Sequence, residues 1–211
     1  MGIPNVVDRW VQQAVLQVME PIFDPMFHDS SHGFRRGRGA QTAIAQVREY
    51  LQAGLTTVVD IDLAKFFDRV NHQQLLAKLS EKIQDKRVLI LIGRMLTARG
   101  MMPDETSVAT EEGTPQGGPL SPLLSNVGLN ELDEELARRG LRFVRYANDC
   151  NIFVGSLRAR HRVMASISGF LEKRLRLQVN TEKSAVRRPS EVHFLRFRFS
   201  RNWEASATSC L

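Results

Sequence analysis

Apolar residues recur along this chain at two spacings, one typical of helices and the other of strands. From Val7 to Val18 they follow a helical period, and we expect Pro21 to end that helix. The β-branched stretch "TTVVDID" at 56–62 predicts a strand. The same pattern predicts helices at 40–54, 72–84, 87–98, 121–140 and 157–175, and strands at 141–147, 150–155, 177–180 and 193–199.

These elements together predict an α+β fold class. The strands return through hairpins, so the sheet should be mostly antiparallel, with helices packed on one of its faces. The chain has no internal repeat, low-complexity tract or long linker, which indicates one continuous domain. We expect that domain over residues 1–200 and treat 201–211 as an atypical tail.

Positive charge is concentrated in the last third of the sequence. Residues 1–137 contain 13 Lys and Arg against 18 Asp and Glu, whereas residues 138–201 contain 16 against 4. A basic surface of this kind favours a polyanionic partner, and nucleic acid is the commonest polyanion. A solvated basic face without a ligand is the alternative.

Nothing in the sequence indicates a membrane or secretion. The longest apolar run, "VLILIG" at 88–93, is far shorter than the roughly 18 residues that a spanning helix needs. The two cysteines, Cys150 and Cys210, form neither a disulfide framework nor a metal-binding spacing, which fits a reducing compartment. We therefore expect a cytoplasmic protein with no membrane partner.

Two acidic residues stand where predicted strands end. Asp62 closes its strand and Asp149 lies at the tight turn of a hairpin. A carboxylate at the edge of a buried strand needs a cationic partner, although an isolated Asp62 that caps the next helix is the alternative. If the two strands are neighbours, the two carboxylates form the minimum platform for two Mg²⁺ ions about 4 Å apart, which suits in-line phosphoryl transfer.

A third chemical element is the segment "GTPQGGPLSPLLSN" at 113–126. Its glycines let backbone approach a ligand closely, Gln116 offers an amide, and a helix that starts at Ser121 has unpaired N–H groups. A Pro/Gly turn that caps a core helix is the alternative. Beside two metal-binding carboxylates, the segment is better interpreted as a substrate-positioning loop.

These motifs resemble the palm motifs of reverse transcriptases, most closely those of bacterial group II intron-encoded proteins, often called maturases. The resemblance rests on "DLAKFFDRVNH", "GTPQGGPLSPLLSN", "RYANDC", "LRLQVNTEKSAV" and "HFLRFRF", in that order and at similar spacing. The stretch that contains "HGFRRGRG" resembles the family's fingers region. The resemblance covers about residues 2–200 and implies a reverse-transcriptase palm with an antiparallel sheet, packed helices and partial fingers.

The resemblance also implies roles for individual residues. Asp62 and Asp149 would be metal ligands, with the backbone carbonyl of Leu63 as an additional one, and Lys183 would protonate or steady the pyrophosphate leaving group. Phe67 would be the steric gate that excludes a ribose 2′-OH. The other residues with implied roles are Gln116, which would contact the incoming nucleotide and template, Pro115 and Gly117, which would shape that pocket, and Arg35, near the template path.

Two substitutions depart from the family pattern. Asn148 stands where the family's "YADD" has its first aspartate, so an amide replaces one of three expected metal carboxylates. Arg196 stands where the primer-grip motif normally has glycine, where it either crowds a tight hairpin or adds a phosphate contact. The match also begins inside a fingers motif and ends soon after the primer grip, so we expect a chain truncated at both ends. A decayed gene copy is one hypothesis for that truncation, and an intact thumb-coding region in the same reading frame would refute it.

Two functions follow from the resemblance. The first is an RNA-directed DNA polymerase that uses two Mg²⁺ ions, with Mn²⁺ as a substitute, and acts on an RNA template, a DNA primer and dNTPs, with activity impaired at Asn148. The second is an inactive, maturase-like fragment that binds group II intron RNA through its basic 138–201 region. The oligomeric state is not indicated by the sequence.

Overall fold

Most predicted elements form where the hydrophobic pattern places them. A computed structural model describes residues 4–97, 100–101, 107–108, 113–114, 117–199 and 205–207. The helices are Val6–Phe23 (α1), Ala40–Gln52 (α2), Phe66–Arg69 (α3), His72–Ser80 (α4), Lys86–Leu96 (α5), Ser121–Arg138 (α6) and Leu157–Phe170 (α7), the last extended by a π-helical turn at Leu171–Leu175. The strands are Thr57–Asp62 (β1), Gly100–Met101 (β2), Ser107–Val108 (β3), Arg142–Tyr146 (β4), Asp149–Val154 (β5), Ala185–Arg187 (β6), Phe197–Phe199 (β7) and Ala205–Ala207 (β8).

An antiparallel sheet of β4-β5-β1-β6 lies at the centre of the candidate site. β1 and β5 pair along their whole lengths, from Thr57 opposite Val154 to Asp62 opposite Asp149. The β-branched and aromatic residues of these strands suit a pleated, buried surface. The predicted α+β class with a mostly antiparallel sheet is confirmed.

Elements cover both faces of this sheet, so the expectation of helices on one face only was wrong. Side chains alternate between faces along a strand, which puts Val144 and Arg145 of β4 on opposite sides. Val144 belongs to an apolar cluster with Val47 and Leu51 of α2, whereas Arg145 forms an ion pair with Asp133 of α6. One face is therefore an apolar core, and the other holds a buried charged pair.

The chain divides into two compact units. The first comprises the described residues within Met1–Phe27 and Lys65–Glu131, and the second those within His28–Ala64 and Leu132–Leu211. The four-stranded sheet lies entirely in the second unit. A single folding domain over residues 1–200 stays a prediction.

Helix α1 differs from its predicted pattern in two ways. It continues through Pro21 to Phe23, because proline's fixed φ is compatible with a helix and only one backbone donor is lost. Its apolar residues are also largely exposed: Trp10 is 78% exposed, while the buried residues are Gln12, Met19 and Phe23. None of the described helices is both long and apolar enough to cross a membrane.

The strands predicted near the end of the chain form differently. Residues 177–180 make only an isolated bridge, from Val179 to Leu63, and the strand that pairs with β1 is Ala185–Arg187. Farther on, Phe194 and Phe197 exchange backbone hydrogen bonds of 3.0 and 2.8 Å around a two-residue turn. β7 after that turn pairs with β8, so part of the 201–211 segment adds a strand.

Candidate active site

Asp62 and Asp149 face each other across two neighbouring strands. Their Cα positions are direct partners in the β1–β5 ladder, and residues so paired project from the same face of the sheet. Both are partly buried and line one cavity. The two strand-end carboxylates singled out in the sequence are therefore brought together by the register.

The carboxylates in this region perturb one another. Burial raises the pKa of Asp149 above its usual range, nearby Asp62 raises it further, and Lys183 lowers it. Burial also raises the pKa of Asp60 from 3.8 to about 6, against the lowering effect of Arg187, and Asp149 and Asp62 add to the rise. Anionic oxygens that repel one another in a partly desolvated place are stabilised by a cation.

The backbone of Asp62 is held by the segment "NTEKS". Asn180 donates its backbone N–H to the Asp62 carbonyl at 2.9 Å, and the Asp62 N–H donates to Ser184 Oγ at 3.0 Å. The next residue, Leu63, is buried and bridges to Val179. The end of β1 is thereby fixed from the side opposite β5. The role of the Leu63 carbonyl as a metal ligand stays a prediction.

A cavity of about 330 Å³ opens beside the two aspartates. Its lining residues are Asp60, Asp62, Asp149, Asn151, Glu182, Lys183, Arg187, His193 and Phe194. Lys183 is exposed at this cavity, where its ammonium can meet an anionic group. The predicted catalytic lysine thus lies beside the predicted metal ligands, although its role in proton transfer stays a prediction.

Asn148 occupies the turn between β4 and β5, next to Ala147, which has a left-handed φ of 56°. The turn is held by Arg145, whose Nη1 donates to the Ala147 carbonyl at 2.8 Å. The same guanidinium donates to Ser31 Oγ at 2.7 Å and to both carboxylate oxygens of Asp133 at 2.7 and 2.6 Å. The position of residue 148 is therefore set by a fully buried ionic network.

The donor set around the aspartates suits a hard cation. Mg²⁺ binds through one or two carboxylates together with substrate phosphate oxygens, and the Asp62–Asp149 pair supplies such carboxylates. Within the described residues, no three His, Cys, Asp or Glu side chains form a group that could hold a metal ion. The protein's own ligands are thus the two aspartates and neutral oxygens, with one carboxylate fewer than the family pattern at position 148.

The first unit contains another part of the predicted site. Thr114 donates its N–H to the Phe67 carbonyl at 2.6 Å, and Gly113 donates to the Val70 carbonyl at 2.8 Å. Gly113 has a φ of 92°, and a Cβ there would meet the Phe67 oxygen at 2.6 Å, so glycine is required. The segment that leads to Pro115 and Gln116 therefore starts against α3.

Three of the other predicted nucleotide contacts are only partly defined. Pro115 and Gln116 lie outside the described residues, and Gly117 is exposed with a φ of 85°. Arg35 donates from Nη1 to the carbonyls of His28 and Ser31, at 2.9 and 3.0 Å, so its guanidinium braces a loop. The roles of these residues and of Phe67 in binding substrate or template stay predictions.

Several residues at the cavity were not assigned a role from the sequence. Asp60 was expected to be solvated, which was wrong: its side chain is only 21% exposed and lies 3.7 Å from Arg187. Asn151 and Ser184 were not considered at all. Alternation along β1 and β5 was the available signal, because it puts Asp60 and Asn151 on the same face as the catalytic pair.

Comparison with known proteins agrees with these motifs. The family model for "Reverse transcriptase (RNA-dependent DNA polymerase)" matches residues 1–199. The protein YkfC of Escherichia coli is 33% identical over 88% of this chain, which spans 58% of that relative. The group II intron-encoded protein LtrA of Lactococcus lactis is 37% identical over 69% of this chain, and the match covers 24% of that relative.

Solved structures agree on the fold. The apo telomerase of Candida tropicalis truncated from its C-terminal domain superposes with a TM-score of 0.70 at 12% identity, over 95% of this chain and 45% of that one. The telomerase of Candida albicans, solved with a fragment of telomeric RNA, also gives 0.70, at 14% identity, over 93% of this chain and 38% of that one. The palm-type architecture, the ordered motifs and a family match over almost the whole sequence together show that this chain belongs to the reverse transcriptase family, with group II intron-encoded proteins among its relatives.

Proposed function

We propose that this chain is the fingers–palm part of a group II intron-type RNA-directed DNA polymerase whose activity is impaired at Asn148. The observation that carries the proposal is the direct pairing of Asp62 with Asp149 at a cavity that Lys183 also lines. Its substrates would be an RNA template, a DNA primer and dNTPs. The chain spans little more than half of the relatives it matches best, so their complete activities are part of the proposal.

In this proposal each residue of the site has a defined task. Asp62 and Asp149 hold Mg²⁺, with the Leu63 carbonyl as a further ligand, and Lys183 donates a proton or positive charge to the departing pyrophosphate. Two bound Mg²⁺ ions would supply activation of the attacking oxygen and charge stabilisation in phosphoryl transfer.

The remaining residues select and place the substrates. Phe67 excludes a ribose 2′-OH by its bulk, while Gln116, flanked by Pro115 and Gly117, contacts the nucleotide. Arg35 supports the template path.

Asn148 is the reason for impaired activity. An amide oxygen can coordinate a cation, but it brings no charge to offset two divalent ions. If the missing charge is worth several kcal/mol, the rate falls roughly a thousandfold or more. Because Asn148 lies on a turn that Arg145 holds in place, Asn148→Asp should restore the charge without moving the backbone.

Primer extension on an RNA template tests this function. The wild-type chain is compared with Asn148→Asp, and with Asn148→Asp combined with Asp62→Asn, in Mg²⁺ and in Mn²⁺. Extension by Asn148→Asp that exceeds the wild type and is lost with Asp62→Asn is the expected result. Equal, Asp62-independent extension by all three proteins would contradict the proposed metal pair.

A second candidate function is binding of structured intron RNA without catalysis. The observation that favours it is the exposed basic surface of α7 and the turn after it, which carries Arg158, His161, Arg162, Lys173, Arg174 and Arg176. Phosphate contacts make affinity fall steeply with salt. We expect Arg158→Gln with Arg162→Gln to weaken binding of intron RNA and flatten its salt dependence in a filter assay, whereas the same double change should not alter the melting temperature. Binding that is unchanged at every salt concentration would exclude this surface.

A further inference from the structure

We infer that Asp60 and Asn151, together with Asp149, form a divalent-cation site that extends the Asp62–Asp149 pair along the two strands, away from Asn148. Asp60 is the direct partner of Asn151 in the β1–β5 ladder, two residues from the pairing of Asp62 with Asp149. Residues two apart on a strand project from the same face. These four side chains therefore form a rectangle of oxygen donors, and all four line the same cavity.

An unsatisfied amide oxygen is the observation that points to a ligand. Asn151 is only 2% exposed, and its Oδ1 has no hydrogen-bond partner among the described residues. Buried polar atoms in folded proteins are nearly always paired, because an unpaired one loses its water without compensation. A cation bound at this oxygen would satisfy it.

The chemistry of the donors determines the class of cation. Asp60 and Asp149 offer carboxylate oxygens and Asn151 an amide oxygen, which are hard ligands suited to Mg²⁺ or Mn²⁺. No further His, Cys, Asp or Glu completes a metal-binding group among the described residues, so the amide oxygen is the ligand that closes this set. Asp60 thus contributes near the pair a negative charge of the kind that position 148 lacks.

Arg187 provides the competing explanation for Asp60. Its Nη1 lies 3.7 Å from Asp60 Oδ2, so Asp60 might serve only to pair with this guanidinium. The two explanations predict opposite signs. If Asp60 binds a cation, Arg187 competes with that cation, and its removal should strengthen cation binding.

Titration of the full chain with Mn²⁺, followed by the electron paramagnetic resonance signal of free Mn²⁺, tests the inference without any activity measurement. We expect Asp60→Asn and Asn151→Leu each to weaken Mn²⁺ binding by about tenfold or more. Arg187→Gln should tighten it. Glu182→Gln, which removes the same charge from an exposed position at the same cavity, should change it little.

Several outcomes would overturn the inference. They are an Asp60→Asn protein that binds Mn²⁺ like the wild type, an Arg187→Gln protein that loses binding as Asp60→Asn does, a Glu182→Gln protein that loses as much, and a wild-type chain that binds no Mn²⁺. If Asp60→Asn melts before binding can be measured, Asn151→Asp decides instead. It adds a carboxylate and should tighten binding, and unchanged or weaker binding would refute the site.

The inference rests on the proposed function only in taking Asp149 as a cation ligand. Asp62→Asn separates the two. Loss of Mn²⁺ binding in Asp62→Asn but not in Asp60→Asn would overturn the inference and leave the proposed polymerase site standing. Loss in Asp60→Asn but not in Asp62→Asn would support the inferred site and count against the proposed catalytic pair.

Discussion

The buried ion pair beneath the Asn148 turn should be far more important for stability than an ion pair of equal geometry on the surface. Arg145 binds both carboxylate oxygens of Asp133 at 2.7 and 2.6 Å, and both side chains are fully buried. Arg138 binds both oxygens of Glu135 at 2.7 and 2.8 Å, but its side chain is 71% exposed. Arg145→Gln and Arg138→Gln are therefore the same chemical change in two environments.

The expected magnitudes differ severalfold. Arg145→Gln leaves the Asp133 carboxylate buried without its partner, which typically costs about 3–5 kcal/mol of the free energy of unfolding. The hydrogen bonds to Ser31 and to the Ala147 carbonyl are lost as well. Arg138→Gln breaks a solvated pair and should cost about 1 kcal/mol or less. For a chain of this size, the first change should lower the melting temperature by roughly 6–20 °C.

Urea denaturation followed by circular dichroism measures both values. The slope of the unfolding free energy with urea should be similar in the two variants, so that the midpoints report stability. If Arg145→Gln destabilises the chain no more than Arg138→Gln, the buried network does not hold the turn. The Asn148→Asp comparison would then lose its assumption of an unmoved backbone.

Three further predictions use other features of the fold. Arg196 has a φ of 67°, so Arg196→Gly should raise the unfolding free energy by about 1 kcal/mol, whereas Arg198→Gly in β7 should lower it; equal losses in urea denaturation would exclude strain at the turn. Gly113→Ala should cost about 1–3 kcal/mol because its Cβ meets a backbone oxygen at 2.6 Å, and Gly37→Ala, with φ 71° but open space, should cost less; a calorimetric ranking in the reverse order would refute the contact. The native pKa of Asp60 is raised from 3.8 to about 6, so the folded state binds more protons than the unfolded state between these values, and the stability that this residue contributes at low pH is lost as pH rises through that window, by up to about 3 kcal/mol. Without divalent cations, the difference in stability between the wild type and Asp60→Asn should show this slope, and a flat difference would contradict it.

Local patterns determined the elements and the chemistry that they carry. Alternation and β-branching predicted β1, and cap residues predicted helix starts such as His72 after Asn71, whose side chain accepts from Gln74 N–H at 3.0 Å. These features depend on neighbours within one turn or one strand, so they can be predicted without the rest of the chain. The same holds for the identities of Asp62, Asp149 and Lys183 as candidates.

Register and burial depended on contacts between distant segments. Residues 177–180 have the composition of a strand, yet β1 pairs with Ala185–Arg187, because "NTEKS" fixes the end of β1 through Asn180 and Ser184. The amphipathic pattern of α1 likewise does not say which side is covered, and its apolar residues remain largely exposed. Periodicity specifies a face of an element but not its partner.

The sequence by itself therefore determined the class of fold, the order of the motifs and the carboxylates of the site. Only the tertiary structure decided that Asp60 and Asn151 share a cavity with them, that Arg145 and Asp133 are buried together, and that position 196 has a left-handed backbone. The physical reason is that local propensities act over a few residues. Desolvation, ion pairing and strand register arise only when segments far apart in the chain are brought within a few ångströms of one another.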